Sequence, residues 1–293
     1  MQTRQLQFFA DGRQLHGTLV RPETTATVPA VLLCHGFGSY DDDLGAFPRL
    51  AELLAQAGLA SFRFGFSGSN PYADQGTIRP ASQWIGDCLA AFLRVGCQAG
   101  IDDRRIGLLG VSVGGGVVIQ AAALCRQVRC VVALAPVADG EAWLRHRWLA
   151  SRSEVAWTAF VAAVEADQRS VVMGKPSRSV PHFDVQALAD EEQWNLLLGR
   201  FPRLLRELTL TSVWDTLRFK PLCYAEAVTQ PLRIVHGDAD ESVPLEQGRQ
   251  FFERARGPKE LCVLPGGPHC CWETPLEAEV QRLSIEWLRK WLA

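Results

Sequence analysis

The 293-residue chain has no uninterrupted apolar run of the roughly 20 residues a membrane span needs. Its opening stretch, MQTRQLQFFADG, has no apolar core of the kind a secretory signal carries. A cytoplasmic protein with reduced thiols is the expectation. Net charge is also small: 30 Lys and Arg against 32 Asp and Glu leave −2, so no basic footprint points to nucleic acid or to an anionic membrane surface. The expected partner is a small molecule, and composition leaves the oligomeric state open. Nine cysteines are present, but the number is odd and no pair has C-x-x-C spacing, which reads as buried small hydrophobes rather than zinc or redox chemistry. Phosphate and metal signatures are missing as well. There is no G-K-[ST] loop and no H-E-x-x-H, and the glycines at 114 and 116 are followed by Ile119 where a dinucleotide loop needs its third glycine. No metal or organic cofactor is expected.

What is present alternates between strand and helix. LQFFADGRQLHGTLVRP reads as a hairpin turning at Asp11-Gly12. AVLLCHGFG, LASFRFGFSG, RIGLLGVSVGG, RCVVALAP and PLRIVHGDAD are short apolar runs without strict alternation, each closed by glycine, proline or polar residues. Such runs suit parallel strands buried on both faces. Between them, Leu44 to Ala57 and the stretch from Trp84 to Val95 carry apolar residues at helical spacing. At the end of the chain, Thr274, Pro275 and Glu277 form a capping-box pattern before Val280, Leu283, Trp287 and Leu288, which predicts a helix capped by Thr274. The fold class is therefore α/β, a mostly parallel sheet flanked by helices, with a site at the carboxyl ends of the strands.

One stretch breaks the alternation. From Asp139 to Val228 about 90 residues separate two strands that a short connection and one helix could join. It holds Trp143, Trp148, Trp157, Trp194 and Trp214 and no Gly/Ser-rich flank. We read it as a helical lid, residues 139–228, inserted in a core made of 1–138 and 229–293, most of its tryptophans forming the lid's own core.

LLGVSVGGG places Ser112 between Gly110 and Gly114, after a strand and before a helix. A serine hydroxyl needs a base to take its proton and a third group to hold that base in the right tautomer. A helix starting after Ser112 also directs free N–H groups and a positive dipole end toward it.

HGFG (35–38), GVSVGG (110–115), HGDADESVP (236–244) and PGGPHCCWE (265–273) together resemble the α/β-hydrolase family, in the chain order serine, acid, histidine that this fold uses. The resemblance implies Ser112 as nucleophile, His269 as general base and Asp240 as the carboxylate that orients it, with Asp238 and Asp139 as rival acids. It implies an oxyanion hole from the backbone N–H groups of Phe37 and Val113. His35 and His236 read as structural histidines near the site, and His16, His146 and His182 have no supporting motif. FRFGFSGS (62–69) is similar to a family turn but has Phe64 as an extra residue after Arg63. Asp215 reads as a solvated carboxylate of the lid, with a hydrogen bond to a substrate hydroxyl as the other possibility. The family's cinnamoyl-type carboxylesterases and prolyl-oligopeptidase-like peptidases are the most similar members. An ester with an aromatic or medium-chain acyl group is the first substrate expectation. Thioester hydrolysis, acyl transfer, peptide cleavage and a catalytically silent binding protein are the alternatives.

Overall fold

The computed structural model describes residues 1–70, 81–187, 191–202, 204–272 and 274–293. Glu273, the last residue of the Pro265–Glu273 motif, lies outside them. The first two strands, β1 (Gln2–Ala10) and β2 (Arg13–Arg21), pair antiparallel, with Ala10 opposite Arg13 and both turn residues at positive φ, Asp11 at 48° and Gly12 at 74°. That is the two-residue hairpin that Asp-Gly favours.

The sheet continues with β3 (Val28–Cys34), β4 (Ala60–Phe64), β5 (Ile101–Val111), β6 (Val131–Leu134), β9 (Leu232–Gly237) and β10 (Lys259–Leu264). Its order is β1-β2-β4-β3-β5-β6-β9-β10, with β2 antiparallel to both neighbours and every pairing from β4 to β10 parallel. Helices α1 (Ala46–Gln56), α2 (Ala81–Gly96), α3 (Val113–Leu124), α9 (Leu245–Arg254) and α10 (Glu277–Leu292) cover it.

The unalternating apolar runs are explained by two cores. In β3, Ala30, Leu32 and Cys34 face the core shared with α2, α3 and α9, while Val31 and Leu33 face the one shared with α1 and α10. β6 divides the same way, Val131 and Ala133 against Val132 and Leu134. Each such buried side chain contributes about 1.5–3 kcal/mol, so a strand between two cores keeps no polar face.

The segment between β6 and β9 holds α4 (Gly140–Ser151), α5 (Glu154–Val172), α6 (His182–Val185), α7 (Glu191–Arg200) and α8 (Leu210–Arg218), then a 3₁₀ turn at Pro221–Ala227. It also holds a small antiparallel ribbon, β7 (Ser179–Pro181) with β8 (Glu207–Thr209), that helical patterning does not foresee. Trp143, Trp148 and Trp157 pack into the core shared with α2 and α3, while Trp194 packs with Leu198 and Leu204 in a cluster of its own. Asp215 differs from its expectation. Its carboxylate accepts the N–H and the hydroxyl of Ser82, both at 3.0 Å, and so pins α8 to the first turn of α2.

The last helix starts later than the capping pattern predicts, at Glu277. Thr274 does accept the Leu276 N–H at 3.2 Å, but its own hydroxyl donates to Cys271 C=O at 2.7 Å. The Glu277 carboxylate lies 2.9 Å from Arg49 of α1 and also accepts the Gln281 side-chain amide at 2.9 Å, so it joins the two helices.

Candidate active site

The carboxyl ends of β3, β5, β9 and β10 lead to His35, Ser112, Asp240 and His269 respectively, so the sequence motifs converge on one rim. Ser112 sits between β5 and α3 at φ 55°, ψ −118°. That is a conformation an L residue holds only at a cost of ~1–3 kcal/mol, when its surroundings over-determine it. They do here: the Ser112 N–H donates to Leu134 C=O at 2.8 Å, and its own C=O accepts from Gly116 and Val137. The flanking glycines are a matter of approach. A Cβ on Gly114 would stand 2.3 Å from the His35 carbonyl oxygen, and one on Gly110 would stand 2.2 Å from that of Gly114. No other residue lets α3 pack so close to β3 and β5.

On the facing loop, His269 Nδ1 lies 2.7 Å from Asp240 Oδ2. A carboxylate only accepts, so Nδ1 carries a proton. Asp240 Oδ1 accepts the N–H groups of Ser242 and Val243 at 2.9 and 2.8 Å. Burial alone would raise the Asp240 carboxyl, but hydrogen bonds from His236, His269 and the Val243 N–H outweigh it and hold the group well below the usual carboxylate range. It is an anion whenever the imidazole needs one. The rival acids are occupied elsewhere: Asp238 is exposed and accepts the Gly266 N–H at 2.7 Å, and Asp139 caps α4 while pairing with Lys220 at 2.6 Å.

Ser112 and His269 line the same cavity, about 300 Å³ in volume, with Phe37, Trp143, Phe201 and Leu204 as its apolar walls. Val113 is the first helical residue of α3, and among the described residues neither its N–H nor that of Phe37 has a protein acceptor.

The two expected structural histidines are buried. His35 Nδ1 donates to Gly36 C=O at 2.8 Å, and Nε2 accepts the Phe66 N–H at 3.1 Å, which anchors the FRFGFSGS turn under the site. His236 Nε2 lies 2.9 Å from Val243 C=O and 3.4 Å from Asp240 Oδ2, so it supports the acid from behind. His16 and His146 are exposed, away from the cavity.

Sequence reasoning missed three residues. Asp43 is buried, accepting the Gly36 N–H at 3.0 Å with one oxygen and the Trp272 indole N–H at 2.9 Å with the other. It ties the Phe37 loop to the His269 loop; burial pushes its carboxyl up. His182 and Gln186, from the far segment, stand against the cavity wall. No local pattern marks any of them, because Asp43 also depends on Trp272 and His182 on Leu205, contacts made between distant segments.

An eight-stranded, mostly parallel sheet with this strand-to-helix serine defines an α/β hydrolase. The chain belongs to the serine aminopeptidase S33 family, whose pattern matches residues 25–275. It is similar, at 28% identity over 279 residues, to an uncharacterized 31.7 kDa protein of Escherichia coli from the traX-finO intergenic region, covering 92% of this chain and 94% of that one. It is 26% identical to the thiohydrolase aneE of Aspergillus aculeatus, over 86% of this chain and 81% of the relative. The solved structure of the α/β hydrolase GrgF from Penicillium sp. superposes with a TM-score of 0.82 at 20% identity, covering 100% of this chain and 99% of that one. Among the described residues no helix is long and apolar enough to cross a membrane.

Proposed function

We propose that this chain hydrolyses a carboxylic ester of a small or medium acyl group, aromatic ones included, through a covalent acyl-enzyme. His269 Nε2 takes the Ser112 proton as Oγ attacks the substrate carbonyl, and the N–H groups of Phe37 and Val113 receive the oxyanion. The tetrahedral adduct collapses, the C–O bond to the alcohol breaks, and His269 returns its proton to the departing oxygen. Water, deprotonated by the same imidazole, then releases the acid and restores the serine. Asp240 keeps Nδ1–H in place throughout and stabilises the imidazolium.

The observation that carries this reading is the 2.7 Å contact between His269 Nδ1 and Asp240, with the imidazole and a strained serine bounding one cavity. The apolar walls support an acyl group as the occupant, and the volume sits near the lower bound, ~300 Å³, of small-molecule pockets. The segment 139–228 acts as the lid, since it supplies Trp143, Phe201 and Leu204 to the cavity. A thioester is the second reading, supported by the likeness to a thiohydrolase. The same three side chains serve both, because only the leaving atom differs.

Fluorophosphonate labelling followed by peptide mapping tests the assignment. The probe should modify Ser112 and no other residue, and pretreatment should abolish hydrolysis of p-nitrophenyl butyrate. Turnover that survives stoichiometric labelling at Ser112 rejects it.

A further inference from the structure

The cavity wall carries one polar side chain whose orientation is dictated from outside the cavity. His182 is 1% exposed, and its Nδ1 lies 2.8 Å from the Leu205 carbonyl oxygen, a group that only accepts. Nδ1 is therefore protonated. Burial lowers the His182 pKa to about 4, so the ring is neutral near pH 7 and Nε2 is a bare acceptor. The partner 2.6 Å from that Nε2 must donate, and it is the amide nitrogen of Gln186. Fixing the nitrogen fixes the oxygen: Gln186 Oε1 is turned away from the histidine on a side chain that lines the cavity with Ser112 and His269.

The histidine itself has no freedom to change this. Its ring packs on Gly38, where a Cβ would come within 2.1 Å of it, and it meets Phe37 and Trp194 edge-on at 5.6 and 5.1 Å. The Leu205 N–H donates to Gly38 C=O at 3.0 Å, which locks the same wall to the Phe37 loop. The backbone carbonyl of Gln186 is held as well, by the Arg147 Nε–H at 3.3 Å.

Resting on the acyl-hydrolase reading, we propose that Gln186 is a specificity-determining residue, whose side-chain carbonyl accepts a hydrogen bond from a hydroxyl or amide N–H carried by the substrate. Around it stand the apolar Phe37, Leu44, Trp143, Phe201 and Leu204, with Ser39, Ser242 and an Asp43 carboxylate already bonded to Gly36 and Trp272 as further polar side chains, so a fixed acceptor on Gln186 discriminates between substrates that have a donor and those that do not. A purely hydrocarbon acyl group leaves the amide oxygen desolvated and unpaired when it fills the cavity. The preferred substrate class is therefore a hydroxyacyl, phenolic acyl or acylamino ester.

Two matched pairs test this: methyl 3-phenylpropanoate against methyl 3-(4-hydroxyphenyl)propanoate, and methyl butanoate against methyl 3-hydroxybutanoate. kcat/KM is followed by pH-stat for the wild type and for Gln186→Met, which keeps the length and loses the acceptor. In parallel, the primary amides of the four acyl groups are titrated calorimetrically into Ser112→Ala protein with and without Gln186→Met. The expected result is a preference of about tenfold for the hydroxyl member of at least one pair, the factor a single neutral hydrogen bond supplies, falling below twofold in Gln186→Met. A purely structural role would lower both members alike and leave the ratio standing, which overturns the proposal, as does a wild type with no preference in either pair. The two assays separate the readings. Ester turnover without a Gln186-dependent ratio removes the subsite and leaves the hydrolase. Gln186-dependent amide binding without ester turnover does the reverse.

Discussion

Helices α3 and α5 show two ways of building with the same material. In α3, every residue from Val113 to Ala122 is buried, with the sheet on one side and the turn at Phe219–Pro221 on the other. In α5, nineteen residues long, only Trp157, Val164 and Asp167 are buried, and Val155 and Val172 are nearly four-fifths exposed. The first belongs to a layered core that holds atoms still. The second belongs to a one-sided cover. The contrast places geometric demands on the core, where Ser112 and Asp240 sit, and far fewer on the cover.

The sharpest way to break that contrast is chemical. Ser112→Ala should lower ester hydrolysis by roughly 10⁴-fold or more with an unchanged circular dichroism spectrum. Residual activity within tenfold of wild type would move the nucleophile elsewhere. A second contrast sets the two acids apart. Asp240→Asn should cost about 10⁴ in kcat, through the wrong imidazole tautomer. Asp139→Ala should leave kcat within a few-fold and cost about 1 kcal/mol in urea unfolding, the loss of a helix cap. Exchanged results would put the acid on the cover.

Acid sharpens the comparison further, since each region holds an imidazole whose pKa burial lowers. His35 and His182 are both lowered to about 4 by burial. The unfolded chain takes up protons below about 6.5, which the folded chain refuses until near 4. More protons bind to the unfolded state across that window, so stability falls as pH drops, by about 1.4 kcal/mol per pH unit for each fully buried ring. Urea midpoints at pH 6.5, 5.5 and 4.5 should show this slope, and His182→Gln should remove about half of it. An unaltered slope would deny the cover its share. The smallest effect concerns packing: Val118→Ala in α3 should cost about 2 kcal/mol, whereas Val155→Ala in α5 should stay within about 0.5 kcal/mol. Equal costs would erase the distinction between the helices.

What the sequence made legible follows the same division. The strands were readable because a residue between two cores has no polar alternative, and the motif loops because a strained serine needs small neighbours whatever surrounds it. Family spacing favoured Asp240 over Asp238, and Asp240 is the one whose carboxylate lies 2.7 Å from His269 Nδ1. The start of the last helix was misread: Leu276 holds the cap position, and the Glu277 carboxylate reaches Arg49, 228 residues away, a partner no local rule names. Asp43 and Gln186 were invisible for a related reason. Asp43 takes part of its role from Trp272, and Gln186 is oriented through a His182 ring that Leu205 holds, so each depends on a contact that only the folded chain brings near.

One bond has a bearing on timing. Asp43 and Trp272 are 229 positions apart, so the tie between their loops waits until residue 272 has been made. On the proposed mechanism, a nascent chain that has passed Ser112 but not His269 carries a hydroxyl without its base, and turnover starts only once the loop carrying His269 has emerged and docked.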